Sequence, residues 1–192
     1  MGRRRKNRSD KSALSLKARW LAWYAGRGPV FHFGFKFGLL LALFYAFFSI
    51  PSLENRILYP YLEANAWLAN AILIGLGQHT HVFEVTIQSP QFAMAIRRGC
   101  DAVEPTWLLC AAMISFPATL IHKLRGMLIG IVLLQALNLV RIVTLYWIGI
   151  HFPSFFNSAH LELWPTAFII VAISLFIGWK ESSPQLGSHV VA

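Results

Sequence analysis

Acidic side chains are scarce in this chain, with eight Asp and Glu against seventeen Lys and Arg in 192 residues. Charged residues of both signs make up only 13% of it, too few to coat a water-exposed globular surface. Cysteine occurs only at positions 100 and 110. On one helix those two would stand about 15 Å apart at 1.5 Å per residue, too far to bridge, so both thiols are expected to be free. There is no H-E-x-x-H segment for a zinc peptidase, no G-x-S-x-G for a serine hydrolase, and no pair of aspartates within apolar runs. Internal repeats and low-complexity tracts are also missing.

What is abundant is apolar: 56% of residues are hydrophobic and 14% aromatic, which describes an all-α integral membrane protein with a single domain. The formal charge of +9 would suit nucleic acid, but ten of the seventeen basic residues fall in the first 36 positions. That clustering fits a cytoplasmic arm facing anionic lipid, and no nucleic-acid partner is expected. Four runs qualify as spanning helices: residues 33–50, 102–121, 127–150 and 163–179. The first follows the basic arm without a small-residue cleavage site and is expected to act as an uncleaved signal anchor, with Trp20, Trp23 and Tyr24 in the interfacial aromatic belt. The domain plan is therefore a basic cytoplasmic arm over residues 1–32, a membrane-embedded unit over 33–180, and a cytoplasmic tail over 181–192.

Residues 57–76 are apolar but interrupted by Pro60, Glu63, Asn65 and Asn70, and are expected as an amphipathic helix in the outer leaflet. Alternation over residues 81–87, a turn at Pro90 and a return over 91–97 predict a short β-hairpin that delivers Cys100 to the membrane surface. The basic arm and the basic turn at residues 122–126 should both be cytoplasmic. Cys100, the far end of the Arg141 helix and His160 would then share the opposite face.

Arg141 lies within an otherwise apolar run, where a guanidinium costs about 2.5–3.5 kcal/mol on insertion scales, so it is a functional-site candidate. Gln135, Asn138, Arg141 and Thr144 recur every three residues along the same helix, which is expected to turn them away from lipid. The ordinary role for such an arginine is an ion pair with Glu104 that holds two helices together. Cys100 is expected to open a helix, where the dipole and the neighbouring Arg97 and Arg98 would favour a thiolate. Cys110, mid-run among Leu109 and Ala111, is expected to be structural. His151 and His160 flank an outer loop, and spacing alone does not choose between them as a base. His79 and His81 form an H-x-H pair, a weak metal signal without a third ligand; no metal or cofactor is expected.

Gly99-Cys100 at a helix start, Asn138-x-x-Arg141-Ile142 in the next helix and His160 before the last one together resemble the exosortase/archaeosortase family of membrane cysteine transpeptidases, in layout most like its exosortase H branch. The similarity covers roughly residues 35–180. It implies Cys100 as nucleophile, His160 as general base and acid, and Arg141 stabilising the thiolate or oxyanion, with Gly99 and Asn138 in support. It also implies a multi-pass protein of the bacterial inner membrane with a periplasm-facing site. Its substrates would be membrane-anchored secreted proteins with C-terminal sorting signals, of the IPTLxxWG type for that branch. The commoner family pattern follows the cysteine with Ser-Gly, whereas Asp101 and Ala102 stand here. A competing expectation is a non-enzymatic assembly factor or small transporter built around an Arg141–Glu104 pair.

Overall fold

The computed structural model describes residue 28, residues 30–50 and residues 54–182. The expected aromatic belt at Trp20, Trp23 and Tyr24, most of the basic arm and all but the first two residues of the C-terminal tail lie outside these. Among the described residues the chain is mostly helical, with three helices long and apolar enough to cross a membrane. These are α1 (Val30–Phe48), α4 (Leu120–His151), and a final helical stretch, Pro153–Glu181, whose regular part is α5 (Trp164–Glu181). Between them lie α2 (Tyr59–Gly75), a small sheet and α3 (Val103–Ser115).

The expected span over 102–121 is replaced by the 13-residue α3, about 20 Å long against a bilayer core of roughly 30 Å. Its early end has a local cause. Phe116 adopts extended backbone, ψ 140°, because it precedes Pro117, whose ring disfavours a helical residue before it. The chain then re-enters helix at Leu120, so residues 122–126 form the first turns of α4 instead of a loop. Lys123 Nζ donates to the Ile114 carbonyl at 2.7 Å across this break, and His122 and Trp179 exchange hydrogen bonds of 3.1 Å with each other's backbone, fastening α4 to the end of α5. Gly126 is required there, since a Cβ would run into the Trp179 ring.

α4 is 32 residues long, about 48 Å, and its surroundings change along its length. Leu124, Leu128, Ile129, Val132 and Val140 are exposed, as lipid contact demands, but from Arg141 to Ile150 no side chain is exposed. The covering is supplied by α2 and the sheet. Leu62, Ala66, Ala69 and Leu73 of α2 share one core with Ile87 and Ile96 of the sheet and Ile142, Val143 and Tyr146 of α4.

α2 has Pro60 in its first turn and closes at Gly77 (φ 83°), with Gln78 N–H donating to the Leu73 carbonyl and Gly77 N–H to Ile74. Its polarity is the reverse of the expected surface amphipath. Asn65 and Asn70 are buried on the inner face, while Trp67, Leu68 and Ile72 are exposed. The reason is the polar stripe of α4: Asn65 Oδ1 accepts from Gln135 Nε2 and, at 3.2 Å, from Asn138 Nδ2, and Tyr61 donates to Gln135. Polar groups thus meet inside the molecule and apolar ones face outward, the arrangement suited to lipid.

The expected hairpin is a three-stranded antiparallel sheet in the order β1-β2-β3: His81–Phe83, Thr86–Gln88 and Ala93–Ala95. Alternation continues through residues 84 and 85, but Glu84 takes φ 54° and folds the expected first strand back on itself. The turn at Pro90 is where it was expected, with Ser89 and Phe92 closing it. Gly149 lets the Phe92 ring lie directly on α4.

Candidate active site

Three stretches of chain converge where α4 passes from its exposed to its covered half. β3 runs out through Ile96 and Arg97 into a turn in which Cys100 N–H donates to the Arg97 carbonyl at 2.9 Å, with Gly99 at φ 91° in the third position. Such a turn needs a positive φ there, which glycine supplies without a Cβ penalty. Cys100 therefore sits in a turn three residues before α3, not at its first position. Its neighbours are strained as well as tight. Ala102, the residue capping α3, takes φ 56°, and it is held by its own burial and by Asp101 Oδ1 accepting from Val103 N–H at 3.2 Å.

From the other side, the winding turn Ala159–Leu163 before α5 presents His160, whose Nε2 lies 2.7 Å from Cys100 Sγ. His151, the alternative that spacing could not exclude, stacks on Trp147 of its own helix, with ring centroids 5.3 Å apart. Arg141 completes the group. Its Nη1 donates to the Gly99 carbonyl at 2.8 Å, and its Nη2 donates to the His160 carbonyl at 3.3 Å and stands 3.8 Å from Cys100 Sγ. The same guanidinium rests over the Phe168 ring of α5, 5.7 Å from its centroid, while Nε is buried without a hydrogen-bond partner. The ordinary role expected for this arginine does not hold: among the described residues Glu104 is not one of its partners, and the guanidinium instead spans the two segments that carry the thiol and the imidazole.

Asn138 does not support Arg141 directly. Residues three apart on an α-helix fall back by about 60° per step, so the stripe from Gln135 to Thr144 winds round α4 instead of running along it. Gln135 and Asn138 face Asn65 of α2, Arg141 faces Cys100, and Thr144 has turned far enough to bond the Val140 and Arg141 carbonyls of its own helix.

Burial pushes the Cys100 thiol above its ordinary value, and the Arg141 charge only partly opposes this. The helix-start argument for a thiolate fails because Cys100 lies outside the first turn of α3. Burial thus favours the thiol over the thiolate at Cys100, with the His160 imidazole within reach of its proton. Asp101 is nearly fully buried next to it, and burial likewise raises its carboxyl, against the bond from Val103 N–H. Its backbone carbonyl lies 2.8 Å from the Tyr61 hydroxyl, whose single proton is shared between this oxygen and Gln135 Oε1, so α2 braces the Cys100 turn. Neither Tyr61 nor Asp101 had been singled out for the site. An acid two residues before the helix start was the available signal, and it indicates capping. Cys110 is buried in α3 and, like Cys100, is a free thiol. No cluster of three or more His, Cys, Asp or Glu suited to a metal ion occurs among the described residues.

A cleft of about 310 Å³ opens onto Cys100 and His160, bounded by β3, Ile142, Leu145 and Phe156. No protein-family model, no curated protein and no solved structure matches this chain.

Proposed function

We propose that the protein is a membrane-embedded cysteine peptidase or transpeptidase of the exosortase/archaeosortase kind, which cuts C-terminal sorting tails from membrane-anchored secreted proteins at the periplasmic face of the bacterial inner membrane. The observation that carries this reading is the 2.7 Å approach of Cys100 Sγ to His160 Nε2 beside a guanidinium bonded to both segments. As Sγ attacks the scissile carbonyl carbon, His160 Nε2 takes the thiol proton and the carbonyl oxygen becomes an oxyanion. The N–H groups of Arg141 not engaged by Gly99 and His160 stabilise that charge in a site largely shielded from water. His160 then protonates the leaving amine as the C–N bond breaks, and the thioacyl group passes to an acceptor amine or to water.

Two further features support it. Ala102 holds a left-handed backbone at the position where the commoner family pattern, Cys-Ser-Gly, has glycine, the residue that adopts this conformation without a Cβ penalty. At the opposite end of the bundle Lys123 lies near Lys36 and bonds the end of α3, and Lys180 lies over Phe116, while Arg97 and Arg98 stand beside Cys100. The lysine cluster fits a cytoplasmic side.

The test is processing of a secreted reporter ending in a sorting tail. Cys100→Ser should abolish it with the protein still inserted and abundant, and Arg141→Lys should lower it by roughly 100-fold, since an ammonium cannot span two carbonyls and an oxyanion as the planar fork does. Unchanged processing in Cys100→Ser overturns the nucleophile. Full activity in Arg141→Lys shows that charge alone suffices.

A further inference from the structure

The small sheet has a free edge, and it faces the nucleophile. Among the described residues β3 pairs only with β2, and the register, Ile87 opposite Met94 and Thr86 opposite Ala95, fixes which backbone groups are used. Ser89 N–H donates to the Phe92 carbonyl and Ile96 N–H to the Val85 carbonyl. In an antiparallel ladder the bonded pairs alternate, so Phe92, Met94 and Ile96 direct their N–H and C=O toward β2, and Ala93 and Ala95 direct theirs away from it. Every residue of β3 lines the cleft that contains Cys100 and His160. The two outward residues are exposed alanines, while Met94 and Ile96 turn into the core, so no large side chain stands over the edge. The strand leads straight into the Arg97–Cys100 turn, which sets the sulfur at the end of the row of donors and acceptors.

We propose that the substrate enters as an extended peptide that adds to the free edge of β3, pairing with the backbone of Ala93 and Ala95, and so brings its scissile carbonyl to Cys100. This inference rests on the proposed peptidase reading. An extended peptide is the occupant because an edge strand offers two donors and two acceptors about 6.8 Å apart, the repeat of alternate residues in a strand. In a cleft with mostly apolar walls, those groups are satisfied by another backbone. Affinity then comes from main-chain bonds, and the alanines make the site tolerant of side chains at the positions that lie over them.

The experiment uses the full chain in native membranes and reads alkylation of Cys100 by peptide mass spectrometry. The probe is the chloromethyl ketone of acetyl-Leu-Ala-Leu-Ala, with a set of analogues each N-methylated at one amide, and iodoacetamide as the reagent that lacks a backbone. The expected result is an alternating pattern. Methylation of the amides that face β3 slows alkylation by roughly tenfold each, and methylation of the intervening amides leaves it within about twofold. Ala95→Pro, which deletes one outward donor and leaves the pairs to β2, should remove the advantage of the parent peptide over its methylated analogues. Normal reaction with iodoacetamide together with a flat methylation series overturns edge docking and leaves the nucleophile reading intact. A Cys100 inert to both reagents overturns both.

Discussion

The two largest influences on the Cys100 sulfur are opposed, burial that disfavours the thiolate and the Arg141 guanidinium 3.8 Å away that favours it, and burial dominates. Alkylation of Cys100 should accordingly rise with pH through a midpoint above that of a free thiol. In Arg141→Gln the midpoint should move higher still, with a slower reaction at neutral pH, because the opposing charge is gone. Rates by mass spectrometry across pH 6 to about 10.5 check this; a wild-type profile already level at neutral pH would mean a preformed thiolate–imidazolium pair instead. Part of this site was legible from residues alone. An arginine within an apolar run announces a function because its desolvation demands partners. The identity of those partners was not legible, since Glu104, the nearest acid in the facing helix, is passed over for two backbone carbonyls that exist only once the Gly99 turn and the turn at His160 are folded. His160 itself was separated from His151 by resemblance and not by spacing, and the contact with Cys100 is what distinguishes them.

Among the elements, length and position were easier to anticipate than polarity and ends. Long apolar runs located α1, α4 and α5 because a bilayer leaves few other uses for them. α3 came out short because a single proline after Phe116 stops it, and the second strand of the expected hairpin became a third strand because Glu84 accepts a left-handed conformation. α2 is a helix as expected but with its faces reversed, for Asn65, which looked like part of its wet side, is the residue that binds α4. Asn138 belongs to that joint rather than to the chemistry. Asn138→Ala, which leaves Asn65 with one buried bond fewer, should cost about 1–2 kcal/mol of stability, seen as a lower thermal midpoint, with processing per folded molecule unchanged. A loss of processing without a loss of stability would place Asn138 in the site after all.

For the molecule as a whole, α4 gives the layout. Its exposed half carries the lipid-facing residues and ends in basic neighbours, and its covered half, beginning at Arg141, is wrapped by α2 and the sheet. The cleft at Cys100 opens where these halves meet, which suits the proposed peptidase, whose substrate would be a soluble peptide joined to a membrane-bound tail. A small, charged, impermeant methanethiosulfonate should therefore modify Cys100 in right-side-out membrane vesicles and not in inside-out ones; the opposite pattern would reverse the assigned orientation. The most direct test of the central claim, that Cys100 attacks a peptide carbonyl with help from His160 and Arg141, is isolation of the covalent intermediate. With a tailed reporter, brief turnover followed by acid quench should leave the reporter's N-terminal fragment on Cys100 as a thioester released by hydroxylamine, absent in Cys100→Ala and in His160→Ala. Processing that proceeds with no acyl group on Cys100, or equally well in Cys100→Ala, would contradict it.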